Sequence, residues 1–271
     1  MKAGIVQMPV FMDKIEDVDL AVKSVKKLAD KGADMVILPE MFCCPYSNKY
    51  FRSYSEPEGG YVFNELSKAA AENGVYLVGG SMPEYDEDRI YNTSYVFDRK
   101  GIKIAKHRKM HLFDIDVEGG QRFFESDTLS AGKDITVFDT EFGKIGLCIC
   151  FDMRFPEIFR IMALEGAKAV IIPAAFNMTT GPAHWEITLR QRAVDNQIFT
   201  IASAPARDEK GEYVSYGNSM VSDPWGSVIF RAGSEPEEAM VDIDMSRVEK
   251  IRKQIPLLSA RRKDLYKIER A

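Results

Sequence analysis

Short apolar runs alternate with amphipathic helical stretches from one end of the chain to the other. Ala3 to Met8 reads as a strand. Asp13 is placed to cap a helix in which Ile15, Val18, Val22, Val25 and Leu28 recur at helical spacing, and Gly32 stops it. Asp34 to Leu38 reads as a buried strand ending at Pro39-Glu40. Tyr61 to Asn73 is a second helix closed by Gly74, and Val75 to Gly80 a third strand. The middle of the chain reads as hairpins: Thr93 to Phe97 with Ile102 to Lys106, and Ile135 to Asp139 with Lys144 to Cys150, each with glycine at its turn. Helix and strand then alternate again over Pro156 to Gly166, Ala169 to Pro173, His184 to Asn196 and Phe199 to Ala204. A last hairpin turns at Asp223-Pro224-Trp225-Gly226, and a charged stretch interrupted by Pro256 follows. The pattern predicts a mixed α/β protein with hairpins in its central sheets and helices outside. No low-complexity linker or fixed-period repeat divides it. With 271 residues, 45% of them hydrophobic, the chain can bury one large core. We therefore expect a single domain over 1–271, with a C-terminal extension of about 245–271.

Composition removes several function classes. A net charge of −5 is the wrong sign for a nucleic-acid binder. No run of about 18 apolar residues exists, so no membrane span is expected. The N-terminus enters a strand pattern directly, without a signal-peptide layout. Four cysteines in a chain of this length do not make a disulfide framework, which fits a reducing cytoplasm. Cys43 and Cys44 are adjacent, and one residue separates Cys148 from Cys150. Neither pair has the spacing that tetrahedral zinc prefers, so no metal is expected.

Three segments carry chemistry. The run from Gly146 to Glu157 reads as a buried strand ending at Cys150, then a tight turn, then a helix opened by Pro156. A thiol there would be rigidly held, exposed at the sheet edge and close to a helix N-terminus that favours thiolate. Cys148, inside the strand, reads as core. Asp34 to Glu40 delivers a carboxylate to the end of a buried strand, where α/β proteins gather ligand sites. Partial burial there raises proton affinity and suits acid–base work. Lys109 lies in the basic run Lys106 to Phe113, which reads either as a solvated surface loop or as the source of a cation near the thiol. A Cys–His pair would instead need His107, His111 or His184. Of these, His184 opens a helix before Trp185 and reads as a packing or capping residue.

Together these segments resemble the nitrilase superfamily of carbon–nitrogen hydrolases. The matching pieces are Leu38-Pro39-Glu40, Arg108 to Phe113, and Cys148 to Phe155, in the family order Glu, Lys, Cys. The resemblance runs from Ala3 to about Tyr266 and is most similar to the ω-amidase branch. The residues behind that are His111 to Val117, Phe176 to Glu186, Arg192 to Gln197, Ser203 to Asp208 and Gln254-Ile255-Pro256. Two departures border the expected pocket. Glu118-Gly119 stands where the family usually has proline then glycine, and Cys43-Cys44 occupies the loop after the glutamate.

The resemblance implies a four-layer αββα sandwich with no metal or organic cofactor. It implies Cys150 as nucleophile, Glu40 as general base and then acid, and Lys109 as oxyanion stabiliser. Glu125 would position Lys109 or the substrate, and the Phe151 N–H would be a second oxyanion donor. The substrate it implies is a small α-keto acid amide such as α-ketoglutaramate or α-ketosuccinamate. Arg154 is the candidate for that substrate's carboxylate, the alternative being a salt bridge to a neighbouring helix. Tyr46, Tyr50 and Phe176 are candidate pocket walls. Alternatives within the family are hydrolysis of N-carbamoyl amines, deaminated glutathione or nitriles, and outside enzymes a silent binding module of the same fold. The resemblance also implies a homodimer, with the segment around Gln254 to Leu258 reaching the partner.

Overall fold

Two sheets packed face to face follow from strands that are apolar on both sides. In the computed structural model, which describes all 271 residues, β1 (Lys2–Gln7), β2 (Met35–Ile37) and β3 (Tyr76–Val78) run parallel. Beyond β3 the sheet continues antiparallel through β5 (Arg89–Phe97), which pairs with both β4 (Met82–Asp86) and β6 (Lys103–Arg108). A small hairpin follows, β7 (Asp114–Asp116) with β8 (Arg122–Phe124). The second sheet has β10 (Gly143–Leu147), β11 (Ala169–Pro173) and β12 (Phe199–Ser203) parallel at its centre. Its antiparallel flanks are β9 (Thr136–Thr140) on one side and β13 (Met220–Ser222) with β14 (Val228–Arg231) on the other. The chain then returns to the first sheet, where β15 (Glu237–Asp242) pairs antiparallel with β1.

Period-two alternation assigns the side chains to layers. In β2, Met35 and Ile37 enter the core between the sheets, while Val36 and the following Leu38 enter the outer core. In β11, Ala169 and Ile171 face the intersheet core, and Val170 and Ile172 face the other way. Helices α1 (Lys14–Asp30) and α3 (Tyr61–Asn73) cover the first sheet through Val18, Val25, Leu28 and Leu66. Helices α4 (Pro156–Leu164) and α5 (Gly181–Asn196) cover the second through Phe159, Met162, Trp185 and Leu189. The result is the expected four-layer αββα sandwich. Each large apolar side chain buried in it contributes roughly 1.5–3 kcal/mol.

Local signals held where capping chemistry is explicit. Asp13 accepts from the Ile15 N–H, and Gly74 closes α3 in the left-handed region at φ +63°. Other expectations shift. Ile15 is exposed, because the buried stripe of α1 runs through Val18, Ala21, Val25 and Leu28 instead. The third strand stops at Val78, since Gly79 and Gly80 turn the chain. The fourth hairpin strand stops at Leu147, short of the cysteine. Helix α5 opens at Gly181 rather than His184. In the charged C-terminal stretch, α6 (Ser246–Gln254) buries Val248 and Ile251. A short helix, α2 (Asn48–Tyr54), completes the loop after Glu40.

Candidate active site

Glu40 is carried two residues beyond Leu38 by the end of β2. That end is pinned by Leu38 N–H donating to Val78 C=O and Ser81 N–H donating to Pro39 C=O. Gly80, at φ +51°, makes this possible: a Cβ there would lie 2.1 Å from the Pro39 carbonyl oxygen. Lys109 follows β6, whose alternation separates the basic run into two faces. Lys106 and Arg108 reach out to Glu84, while His107 and Lys109 point inward and are buried. The surface-loop reading of Lys109 is therefore wrong. Arg108 makes a bidentate contact with Glu84 at 2.8 and 2.9 Å, which holds that carboxyl down to about 2 against the opposing effect of burial.

Cys150 does not end a strand. It opens a short 3₁₀ turn, Cys150–Arg154, three residues past β10 and directly before α4. Its backbone sits in the left-handed region at φ +45°, a conformation costly for a residue with a Cβ. The thiol is also buried rather than exposed, at 3% of its possible surface. Burial first, and then the Glu40 carboxylate, push its proton affinity well above that of an ordinary cysteine, against Lys109 and the Ala175 N–H. Desolvation thus opposes the thiolate that a helix N-terminus favours.

The structure brings Glu40, Lys109, Cys150, Glu125 and Tyr46 into one buried cluster. Lys109 Nζ donates to Glu40 Oε1 at 3.0 Å and to Glu125 Oε1 at 2.8 Å. The Tyr46 hydroxyl donates to Glu125 Oε1 at 2.5 Å and sits 3.4 Å from Glu40 Oε1, so Tyr46 belongs to the charged network as well as to the pocket wall. Glu125 begins where β8 ends, and its other oxygen accepts the Phe113 N–H at 2.7 Å. Burial works against the Lys109 ammonium, but the Glu125 and Glu40 carboxylates outweigh it and hold the lysine charged. Burial lifts the Glu40 proton affinity, which Lys109 partly opposes. The Phe151 N–H donates to no other group in the protein and is free to serve an oxyanion.

Around this cluster lie groups that local patterns did not reveal. Asn92 Nδ2 on β5 donates to Glu40 Oε1 at 2.8 Å, and the Ala175 N–H after β11 donates to Oε2 at 2.7 Å. Tyr213 stacks on Tyr46 at 4.5 Å between centroids and donates its hydroxyl to Ala175 C=O. Asp152 is buried and gathers His107, His111 and the Ile149 N–H around its carboxylate. No histidine hydrogen-bonds within the cluster: His107 and His111 are committed to Asp152, and His184 Nδ1 lies 3.1 Å from the Arg154 guanidinium.

Arg154 makes no salt bridge. Its guanidinium lies over the Phe176 ring at 4.8 Å and the Phe151 ring at 5.5 Å, and burial lowers its proton affinity slightly from the usual arginine range. This half-buried guanidinium has no carboxylate partner in the protein, its one side-chain hydrogen-bond contact being His184 Nδ1, so it has the chemistry to receive a carboxylate. Phe176 itself packs edge-on against Trp185. A cavity of about 330 Å³ reaches Glu40 and is lined by Tyr46, Tyr50, Tyr213 and Cys44; Cys150, Lys109 and Arg154 do not line it, and neither does Phe176, which lies under the Arg154 guanidinium. Cys43 instead packs under α1 and α3 in the outer core.

The family model described as carbon-nitrogen hydrolase matches residues 2–253. The chain is 48% identical to omega-amidase NIT2 of Xenopus tropicalis over 268 residues, covering 99% of this chain and 97% of that protein. It is 46% identical to omega-amidase NIT2 of Mus musculus over the same length and coverage. Among solved structures it resembles Saccharomyces cerevisiae Nit3, a member of branch 10 of the nitrilase superfamily. The TM-score is 0.89 at 38% identity, covering 97% of this chain and 96% of that one.

Proposed function

The chain belongs to the carbon–nitrogen hydrolases, and from that premise we propose that it is an ω-amidase releasing ammonia from short α-keto acid amides such as α-ketoglutaramate and α-ketosuccinamate. The observation that carries the substrate class is Arg154: a guanidinium on the same turn as Cys150 with no carboxylate partner in the protein, suited to the carboxylate that such amides bear.

In this reading Glu40 takes the Sγ proton as Cys150 attacks the amide carbon. The transfer leaves the net charge of the buried cluster unchanged, so it avoids the desolvation cost of a free thiolate. Lys109 Nζ and the Phe151 N–H hold the oxyanion. Glu40 passes its proton to the amide nitrogen, the C–N bond breaks, ammonia leaves and a thioester remains. Glu40 then takes a proton from water as the oxygen attacks the thioester. The C–S bond breaks, the acid departs and the proton returns to Sγ. Glu125 and Tyr46 keep Lys109 charged and aimed.

The same reading includes a homodimer and a cytoplasmic setting. Ile187 at 66% and Trp225 at 56% exposure flank one groove on the outer face of α5 that also holds Glu186, Arg190 and Gln191, and two large exposed apolar side chains there favour a partner copy. All four cysteines are free thiols, which suits a reducing compartment. Light scattering giving a monomer mass would remove the dimer. The activity itself is tested by ammonia release from α-ketoglutaramate with the native protein and Cys150→Ala. Release by the native protein alone is expected, and equal rates in both would end the proposal.

A further inference from the structure

The two groups that must meet at the substrate come from different sheets. Lys109 follows β6 of the first sheet, and Cys150 lies on the turn after β10 of the second. What separates the sheets is an apolar core, and apolar contact is non-directional. Oxyanion stabilisation, in contrast, needs donors placed to within about 0.5 Å. Glu40 has its own directional tie to the second sheet through the Ala175 N–H. The Lys109 N–H donates to Asn92 C=O within the first sheet. Asp152 aside, the ties of its segment to the second sheet reach only the edge strand β9, where Thr136 Oγ1 meets His107 Nδ1 at 3.0 Å, and not the turn that carries Cys150.

Asp152 ties the segment to that turn. It lies two residues after Cys150, is wholly buried, and accepts from both sides of the divide. Oδ2 accepts from the Ile149 N–H at 3.1 Å, just before the nucleophile, and meets His107 Nε2 at 3.0 Å. Oδ1 accepts from the His111 N–H at 2.9 Å and meets His111 Nδ1 at 2.7 Å. His107 and His111 bracket Lys109 symmetrically in the chain. Because an ionised carboxylate only accepts, the protons must sit on His107 Nε2 and His111 Nδ1. His111 is further held by stacking on Phe155 at 3.6 Å and 13°.

We infer that Asp152, with His107 and His111, is a positioning clamp that sets the distance between the Lys109 ammonium and the Cys150 thiol for the proposed amide hydrolysis. The inference rests on the roles given to Lys109 and Cys150 above. A clamp of this kind acts on the chemical step and leaves substrate binding to Arg154.

The test uses the full chain. His111→Phe keeps the stack on Phe155 and removes the side-chain donor, whereas His111→Asn keeps a donor at the Nδ1 position. His111→Phe is expected to lower kcat at least tenfold with KM unchanged, and His111→Asn to restore it to within about threefold of the native protein. Asp152→Asn is expected to cost about 100-fold in kcat, the scale of a displacement near 1 Å. Activity is expressed per folded molecule, from circular dichroism of the same samples. Native kcat in His111→Phe, or a loss in KM rather than kcat, would overturn the clamp. So would equal losses in the Phe and Asn variants. A native protein that leaves α-ketoglutaramate untouched, but whose Cys150 is acylated by an activated ester more slowly in His111→Phe, would refute the substrate reading and keep the clamp.

Discussion

Lys109 Nζ lies 3.0 Å from Glu40 Oε1, and both side chains are wholly buried. A buried pair of this kind is stable only when its remaining atoms are also satisfied. Here Asn92, the Ala175 N–H and Glu125 satisfy them. The pair therefore cannot lose one member without exposing the other.

Replacing Lys109 with Met keeps the volume and removes the charge. It strands two buried carboxylates and deletes an oxyanion donor. Turnover is expected to fall by roughly 10²–10³, and unfolding free energy by about 3–5 kcal/mol unless a carboxylate takes up a proton. Steady-state kinetics and urea titration measure both; activity within tenfold of native would contradict the assignment.

Burial raises the proton affinity of Glu40 above that of an ordinary glutamate. Its base form exists only above that raised value, so kcat/KM should fall on the acid side at a pH above the ordinary glutamate range. A pH–rate profile from pH 4 to 9 locates the limb, and one lying near the usual 4.3 would show that Glu40 is not the base in the free enzyme.

Arg154→Leu removes the guanidinium and leaves the triad. A lost charge-assisted hydrogen bond of about 1.5–3 kcal/mol corresponds to roughly a 10- to 100-fold rise in KM for α-ketoglutaramate. A short aliphatic amide without a distal carboxylate should be hydrolysed as by the native protein. Parallel loss on both amides would assign Arg154 to packing against Phe151 and Phe176.

Cys150 holds a left-handed backbone at φ +45°. Both Cys150→Ala and Cys150→Gly should be inactive, but only glycine relieves the conformation. The glycine variant is expected to be the more stable of the two by about 1 kcal/mol, despite its more flexible unfolded chain. A glycine variant that melts below the alanine variant would mean that the turn carries no strain.

Asp17 on α1 is buried, with one oxygen accepting the Phe11 N–H and the other unpartnered. Burial, opposed by that N–H, pushes its carboxyl up to about 8. The folded state thus keeps a proton that the unfolded chain loses near 3.9. Stability from this source is complete below about pH 4 and drains away as pH rises through about 8. Asp17→Asn cannot titrate, so its stability relative to native should grow between pH 5 and 8, by a few kcal/mol at most. A constant difference across that interval would show that Asp17 is ionised throughout.

Elements with local chemistry were legible in the sequence: the Asp13 cap, the Gly74 stop, and the apolar runs that became β2 and β11. Glu40, Lys109 and Cys150 were legible as candidates through short motifs, and the structure gathers them. Asn92, Ala175, Tyr213 and Asp152 were not, because their roles are contacts with residues far away in the chain and leave no periodicity. The exposure of Cys150 was misread for a related reason. A strand end suggests exposure, whereas the loops that bury the thiol come from residues 46, 175 and 213. β15 was missed because Glu237–Asp242 opens on two glutamates, ends on an aspartate and is half-buried, and its pairing depends on β1.

That last pairing sets an order on biosynthesis. β1 is made long before β15, its neighbour on one side. Until β15 follows, the apolar strand offers an unpaired edge to any other nascent chain. A chain stopped before Glu237 should therefore elute from gel filtration as aggregate rather than as a smaller folded protein, and a folded product would show that β1 can wait safely.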